Sequence, residues 1–231
     1  MKGLLLRVGI DKGTGGCLAP LFEDGTFEFI PIPETRITSE NRVYVNIRGK
    51  SGKMLGDFLP KKIKYSHPHF DPEFKSYTYG DPTRTKRNQL SKLNPGDLLI
   101  FYAGLIPLHR KVNPRLYVIG YFKVEKVYDF QKITQTNYTL AFKKVKNNAH
   151  AKYFFKMKEM NLEFPENNLI IIKGNSKNSK LLKKAILIGD SKGNLLKKLE
   201  PIFGYKGSLV WAVGHWIEEE YILRVKNLLN K

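Results

Sequence analysis

His67-x-His69-x-Asp71 is the one spacing in this chain that looks like a set of metal ligands. On an extended segment alternate side chains share a face, so these three would converge on one point. The same residue types serve general acid–base work, because histidine titrates near neutrality. Pro68 and Pro72 also fit a structural reading, in which the prolines dictate the path and Asp71 makes a local turn bond. His67, His69 and Asp71 are therefore the catalytic candidates, with no metal assigned and the cofactor left open. A second constellation, Asp11-Lys12-Gly13-Thr14-Gly15-Gly16, follows an apolar run. Glycines there would let backbone N–H groups approach a phosphate and Lys12 would add charge, although a plain turn explains the same residues. It is not a P-loop, since no Gly-Lys-Ser/Thr closes it.

The remaining reactive residues form no recognisable set. His150 sits at a helix junction, in Asn147-Asn148-Ala149-His150, where it caps a helix or faces a pocket. His215 reads as the start of the last helix, where the dipole would keep it neutral. Ser208 lacks the Gly-x-Ser-x-Gly elbow of a hydrolase nucleophile, and Cys17, the single cysteine, reads as a core residue. One cysteine excludes intrachain disulfides and a multi-cysteine zinc cage.

The elements that must position these groups centre on residues 81–105, DPTRTKRNQLSKLNPGDLLIFYAGL. A basic helix capped by Asp81 or Thr83 comes first, with Leu90 and Leu93 facing the core. Asn94-Pro95-Gly96-Asp97 is a turn, and an apolar strand buried on both faces follows it. Arg84, Lys86, Arg87 and Lys92 therefore stand beside a rigid strand and are expected to hold phosphates. Tyr102 and Trp211 are expected to sandwich a base, with Asp11, Asp81 or Asp97 accepting hydrogen bonds from its edge.

Before this stretch, strands are expected over 4–10, 26–30 and 42–47, with a hairpin turn at Glu23-Asp24-Gly25-Thr26. Residues 48–82 form the longest irregular stretch, and long ordered loops tend to be functional. After it come a long strand over 115–130 with a bulge at Gly120, helices over 136–146 and 149–160, and short strands over 168–174 and 184–189. Residues 194–200 read as a helical turn or two. Trp216 to Leu229 reads as an amphipathic helix, with Ile217, Tyr221, Val225 and Leu228 as its apolar stripe. The mix predicts an α+β fold with a mixed, barrel-like sheet and flanking helices. A single domain over 1–231 is expected, with a core over roughly 84–190 and an N-terminal β elaboration over roughly 1–60.

Forty Lys and Arg against 21 Asp and Glu give a formal net charge of +19. Such an excess favours nucleic acid or another polyanion as partner, although lysine far outnumbers arginine and a genome-wide bias would give the same skew. No apolar run approaches the length of a membrane span, and the first residues reach Asp11 too soon for a signal peptide. A cytoplasmic protein with no membrane contact is expected.

The opening RVGIDKGTGGCLAPLFEDGTFEFIPIPE, the 81–105 segment and NNAHAK together resemble the nucleotide modification associated domain 3 proteins. The resemblance implies a role beside systems that modify bases in DNA, and with it DNA ahead of RNA as the expected partner. Pro95-Gly96-Asp97 running into an apolar strand, then VIGYFKV at 118–124, is similar to the core of PUA-like folds (the ASCH, EVE and YTH relatives). That likeness implies a compact β-barrel and recognition of modified bases. Residues 11–16 are also similar to the first phosphate loop of actin-like ATPases, over that short stretch alone.

Three functions follow as expectations. The first is a nucleic-acid-binding module that reads or handles a modified nucleotide in a base modification or defence system. Its rival is an enzyme acting on a nucleotide or modified base, which requires the loop at 11–16 and the segment at 67–71 to meet in one pocket. The third is an adaptor that binds a protein partner through an exposed stripe on the last helix.

Overall fold

The computed structural model describes residues 1–109, 112–210 and 213–230, and among them ten strands and five α-helices. Strands β1 (Gly3–Arg7), β2 (Ala19–Leu21), β3 (Ile32–Pro33) and β4 (Pro68–His69) precede β5 (Thr78–Asp81) and helix α1 (Arg84–Leu90). The long strands β6 (Leu98–Pro107) and β7 (Arg115–Asp129) come next, then helices α2 (Gln135–Lys144) and α3 (Ala149–Glu159). Strands β8 (Ile170–Gly174) and β9 (Lys180–Leu187), helix α4 (Glu200–Phe203), strand β10 (His215–Ile217) and helix α5 (Glu219–Leu229) complete the chain.

The predicted helix–turn–strand at 81–105 is the framework of the fold. Thr83 caps α1, and Leu90 and Leu93 are buried. Nearly every residue of β6 is buried, because β6 lies inside an eight-stranded sheet ordered β10-β1-β6-β7-β8-β5. β1 runs parallel to β6 and the other neighbours along this path are antiparallel, so the sheet is mixed. β2 continues the parallel pairing beyond the end of β1, and β9 pairs with β7. The fold is thus α+β, as expected, but the strand path runs from one edge to the other and no closed barrel forms among the described residues.

β7 bends where predicted. Its register against β9 slips between Val118 and Gly120, and a Cβ at Gly120 would come within 2.7 Å of both the Lys180 carbonyl and the Phe74 ring. Only glycine admits that approach. One face of the sheet buries Phe101, Phe122 and Leu99 in the main core, while α2 and α3 cover a smaller aromatic cluster. There Phe142 lies between Phe130 and Phe154, stacked at 4.2 and 4.1 Å between centroids.

Three of the expected elements are overturned, two by local side-chain hydrogen bonds and one by a distant strand edge. Residues 42–47 make a single 3-10 turn at Tyr44–Asn46, because the Asn46 side chain accepts the Val43 N–H at 3.0 Å and closes a turn in place of a ladder. Residues 26–30 make only isolated bridges, since the Glu28 carboxylate is drawn to the Lys50 and Ser51 amides at 2.9 and 2.7 Å. His215–Ile217 is a strand on the free edge of β1, so the last helix begins at Glu219. The buried residues of that helix are Ile222, Val225 and Leu229, and Ile217 is buried from β10. With Tyr221 and Leu228 half-buried against the core, the exposed stripe an adaptor would need is missing. No described helix is long and apolar enough to cross a membrane.

Candidate functional site

Two short antiparallel segments form one wall of a cleft. β3 pairs with β4 through Ile32 and His69, and the Glu34 N–H continues the pairing by donating to the His67 carbonyl at 2.8 Å. This register sets Glu34 beside His69, whose Nδ1 lies 2.6 Å from Glu34 Oε2. The chain turns after His69, with the Asp71 N–H on the His69 carbonyl at 2.8 Å, and the Asp71 carboxylate reaches the edge strand β5. There the Gly80 N–H donates to both carboxylate oxygens, at 2.8 and 3.0 Å.

Helix α3 supplies the facing wall. Asn148 caps it, accepting the His150 N–H at 3.0 Å, while its amide donates to Asp71 Oδ1 at 3.2 Å. His150 is thereby laid over Gly80. A Cβ on Gly80 would fall 2.9 Å from His150 Cδ2 and 3.1 Å from Ile171 Cγ1, so the absent side chain is what admits the ring.

Two histidines and a carboxylate converge in this frame. His150 Nε2 lies 3.3 Å from Asp71 Oδ2, and His69 Nε2 lies 3.9 Å from the same oxygen. The two rings meet edge to face, 5.1 Å between centroids. Each Nδ1 is held from behind by a carboxylate, His69 by Glu34 and His150 by Glu166 at 2.7 Å. Arg36 ties these carboxylates together, bonded to Glu34 at 3.0 Å and to Glu166, with its guanidinium 4.7 Å over the Tyr153 ring. Its Nη2 also lies 3.1 Å from His69 Nδ1, but that nitrogen's proton points at Glu34, so the contact is not a hydrogen bond.

Burial sets the protonation balance. Burial opposes ionisation of Glu34, yet the bonds from His69 and Arg36 prevail and hold its carboxyl far below the usual range. Burial alone would lower the His150 pKa, but its hydrogen bonds to Asp71 and Glu166 raise it to about 9. Complete burial pushes Asp71 up, against the opposing pull of His150 and the Gly80 amide.

The cluster opens into a cleft of about 480 Å³. Asp11 and Thr14 of the glycine loop line it together with His69, Asp71 and His150, so the loop and the 69–71 segment do meet. The loop itself is closed, however. Asp11 Oδ1 accepts the Thr14 N–H at 2.8 Å and its hydroxyl at 3.0 Å, and the Gly15 N–H bonds the Asp11 carbonyl. A carboxylate therefore occupies the place where a cradled phosphate was expected. Lys12 and Gly13 point to solvent, Gly15 is buried against Ile10, and Gly16 lies near Lys62.

The other predicted residues divide. Lys86 is half-buried on the cleft wall, and among the described residues its ammonium has no salt bridge or hydrogen bond. Burial lowers its pKa, with Asp81 pulling the other way. Arg84 and Lys92 are exposed, away from the cleft lining. Arg87 is engaged by Asp129, at 2.8 Å and two further contacts near 3 Å, so it fastens α1 to β7 and is not available to phosphate. Tyr102 is fully buried and donates to the Leu209 carbonyl, which leaves no ring face for a base. Trp211 lies outside the described residues. Asp97 is buried and holds the Lys2 and Asn94 amides, whereas Asp81 lines the cleft beside Thr83.

His67 leaves the expected triad, since its Nδ1 bonds the Arg42 carbonyl at 2.8 Å; β4 is too short to keep His67 and His69 on one face. His215 packs against Tyr205, and its pKa is lowered by burial and then by Lys86, not by a helix dipole. Among the described residues no hydrogen bond joins Ser208 to His215. Burial pushes the Cys17 thiol up, away from a reactive thiolate.

A family model described as nucleotide modification associated domain 3 matches residues 2–216, which include every residue of this cleft. The chain belongs to this family. Searches of curated proteins and of solved structures each found no match. Membership in the nucleotide modification associated domain 3 family ties the chain to nucleotide modification. Glu34, Arg36 and Glu166 carried no warning in the sequence of this family member. They lie in loops, and only pairing across 130 residues, as between Arg36 and Glu166, gives them meaning. His150 had a signal in its Asn-Asn-Ala-His helix start, though not in its partners.

Proposed function

We propose that this nucleotide modification associated domain 3 chain is an enzyme that acts on a nucleotide or modified nucleotide held in the cleft. One observation carries the reading. Asp11, Thr14 and Lys86, whose ammonium has no salt bridge among the described residues, share a cleft with the His69–Asp71–His150 cluster. A half-buried lysine with no salt bridge among the described residues suits a phosphate or another anionic group, and the lowered Lys86 pKa reflects the desolvation such a ligand would offset. The volume lies within the range of small-molecule sites, about 300–1,000 Å³. Val8, Ile32 and Pro33 line the same cleft and offer apolar surface for a base or sugar.

The leading expectation, a reader that sandwiches a base between Tyr102 and Trp211, loses support because Tyr102 is core. A polymer substrate keeps support from the net charge of +19 and the exposed Arg84 and Lys92, which would meet a strand whose target nucleotide enters the cleft. The PUA-like kinship implied by the Pro95-Gly96-Asp97 turn belongs to this reading as a proposal of ancestry, with an open sheet in place of the barrel.

Calorimetric titration tests the reading, with deoxynucleoside mono- and triphosphates and short DNA strands at two salt concentrations. Expected is binding that Lys86→Ala weakens at least about tenfold, the loss of one charge-assisted contact worth about 1.5–3 kcal/mol. Absence of binding to every nucleotide and strand at low salt would overturn it.

A further inference from the structure

The His69–Asp71–His150 cluster has a feature that nucleotide binding does not require. Carboxylates fix both histidines from behind, and both Nε2 atoms turn toward the same Asp71 oxygen. A carboxylate can only accept, so each Nδ1 carries a proton; His69 Nε2 is left without a hydrogen bond to Asp71, and an ion at Asp71 would take the place of the proton that His150 Nε2 shares with that carboxylate. Carboxylate support behind a histidine is the arrangement that orients imidazoles toward metals. The facing ligand atoms all lie within 4.8 Å of one another. Ligands about 2.1 Å from one ion sit roughly 3 to 3.5 Å apart, so modest rotation of the His69 ring completes the set. His69 Nε2 has no hydrogen-bond partner among the described residues, and its nearest acidic atom is 3.9 Å away.

Charge agrees with geometry. Glu34, Glu166 and Asp71 supply three negative charges around these rings, and Arg36 cancels one. With both rings neutral, as ligation requires, two negative charges remain, and a divalent cation would balance them.

We propose that His69 Nε2, Asp71 Oδ2 and His150 Nε2 bind one divalent transition-metal ion, with its open coordination positions facing the cleft. Two imidazoles favour zinc or iron(II) over magnesium or calcium, which take oxygen ligands. Glu34 and Glu166 are positioning residues that hold the rings, and Gly80 is the space that seats His150. The inference stands apart from the nucleotide reading, since an ion can bind whether or not a nucleotide does.

The test uses the full chain, stripped with a chelator, then titrated with Co²⁺ by visible absorption and with Zn²⁺ by calorimetry. Expected is one equivalent bound, a tetrahedral or five-coordinate Co²⁺ absorption band, and loss of that equivalent in His69→Gln and in His150→Gln. Glu166→Gln, which leaves all three ligands in place, is expected to weaken affinity 10- to 100-fold. Circular dichroism on each variant separates lost ligands from lost folding. Folded wild-type protein that yields no Co²⁺ band and no Zn²⁺ heat overturns the proposal. So does an equivalent retained in both folded histidine variants, which would locate the ion elsewhere. Failure here leaves nucleotide titrations unaffected, and failure of those leaves the metal site standing.

Discussion

Arg36→Met tests whether the paired carboxylates behind the histidines depend on one guanidinium. Glu34 and Glu166 have side chains only 3% and 8% exposed, and Arg36 bonds both. Methionine keeps much of the side-chain volume and the contact with Tyr153 while removing the charge. Breaking a buried ion pair from one side costs about 3–5 kcal/mol, because the remaining charge is left without a partner. Arg36 is itself 26% exposed and water can reach part of the gap, so the lower end applies, about 3 kcal/mol. A chain of this size loses roughly 2–4 °C of Tm per kcal/mol, which gives a fall of about 6–12 °C in a thermal melt at neutral pH. The penalty comes from stranded negative charge, so adding Glu166→Gln to Arg36→Met should recover part of it. The melt of the double variant should therefore lie above that of Arg36→Met alone. A single variant melting within about 2 °C of wild type would refute the reasoning, as would a double variant less stable than the single.

Three further perturbations probe other parts of the argument. Gly80→Ala forces a Cβ to 2.9 Å from His150 and 3.1 Å from Ile171, so it should lower stability by about 1–3 kcal/mol in urea; an unchanged midpoint would mean that the ring has room. Tyr102→Phe removes the hydroxyl bonded to Leu209, and about 1 kcal/mol of stability should go while nucleotide affinity holds; a lost affinity with intact stability would restore Tyr102 to the site. Burial would raise the Glu40 pKa, but Arg42 and Lys152 reverse this and hold it at about 2. A carboxyl depressed by folding stabilises fully above its unfolded pKa, near 4.5, and loses that contribution as pH falls through about 2. With Arg42 partly exposed, about 1–2 kcal/mol is at stake, so Glu40→Gln should flatten stability between about pH 5 and 2, and identical acid profiles would dismiss the pairing.

The parts of the fold legible in the sequence are those whose information is local. The basic helix capped by Thr83, the buried run of β6 and the bend of β7 at Gly120 each follow from periodicity, caps or turn chemistry within a dozen or so residues. The errors fall where a side chain outcompetes the backbone pattern. Asn46 and Glu28 capture amides and turn expected strands into loops. His215 went wrong differently: the free edge of β1, more than 200 residues away, recruits it into a strand. Lysines and arginines in one helix looked alike in sequence. Only the partner Asp129, across the fold, separates the engaged Arg87 from Lys86, which has no salt bridge among the described residues.

The site shows why half of it could be read and half could not. His69 and Asp71 share a spacing and were found, but that spacing also named His67. Alternation needs a strand longer than the two residues of β4, and the path is set instead by Glu34 pairing back onto the His67 carbonyl. The third member, His150, arrives from a helix 79 residues beyond Asp71 because Asn148 both caps that helix and bonds the aspartate. One side chain thus couples helix initiation to site assembly. The coupling implies that the cluster forms only when α3 docks on β5, so its geometry depends on the sheet edge as much as on the ligating residues. Gly80 is where the two meet, its amide on Asp71 and its missing side chain under His150. A reader with the sequence alone sees a glycine in a short strand; its role exists only in the contact between two elements.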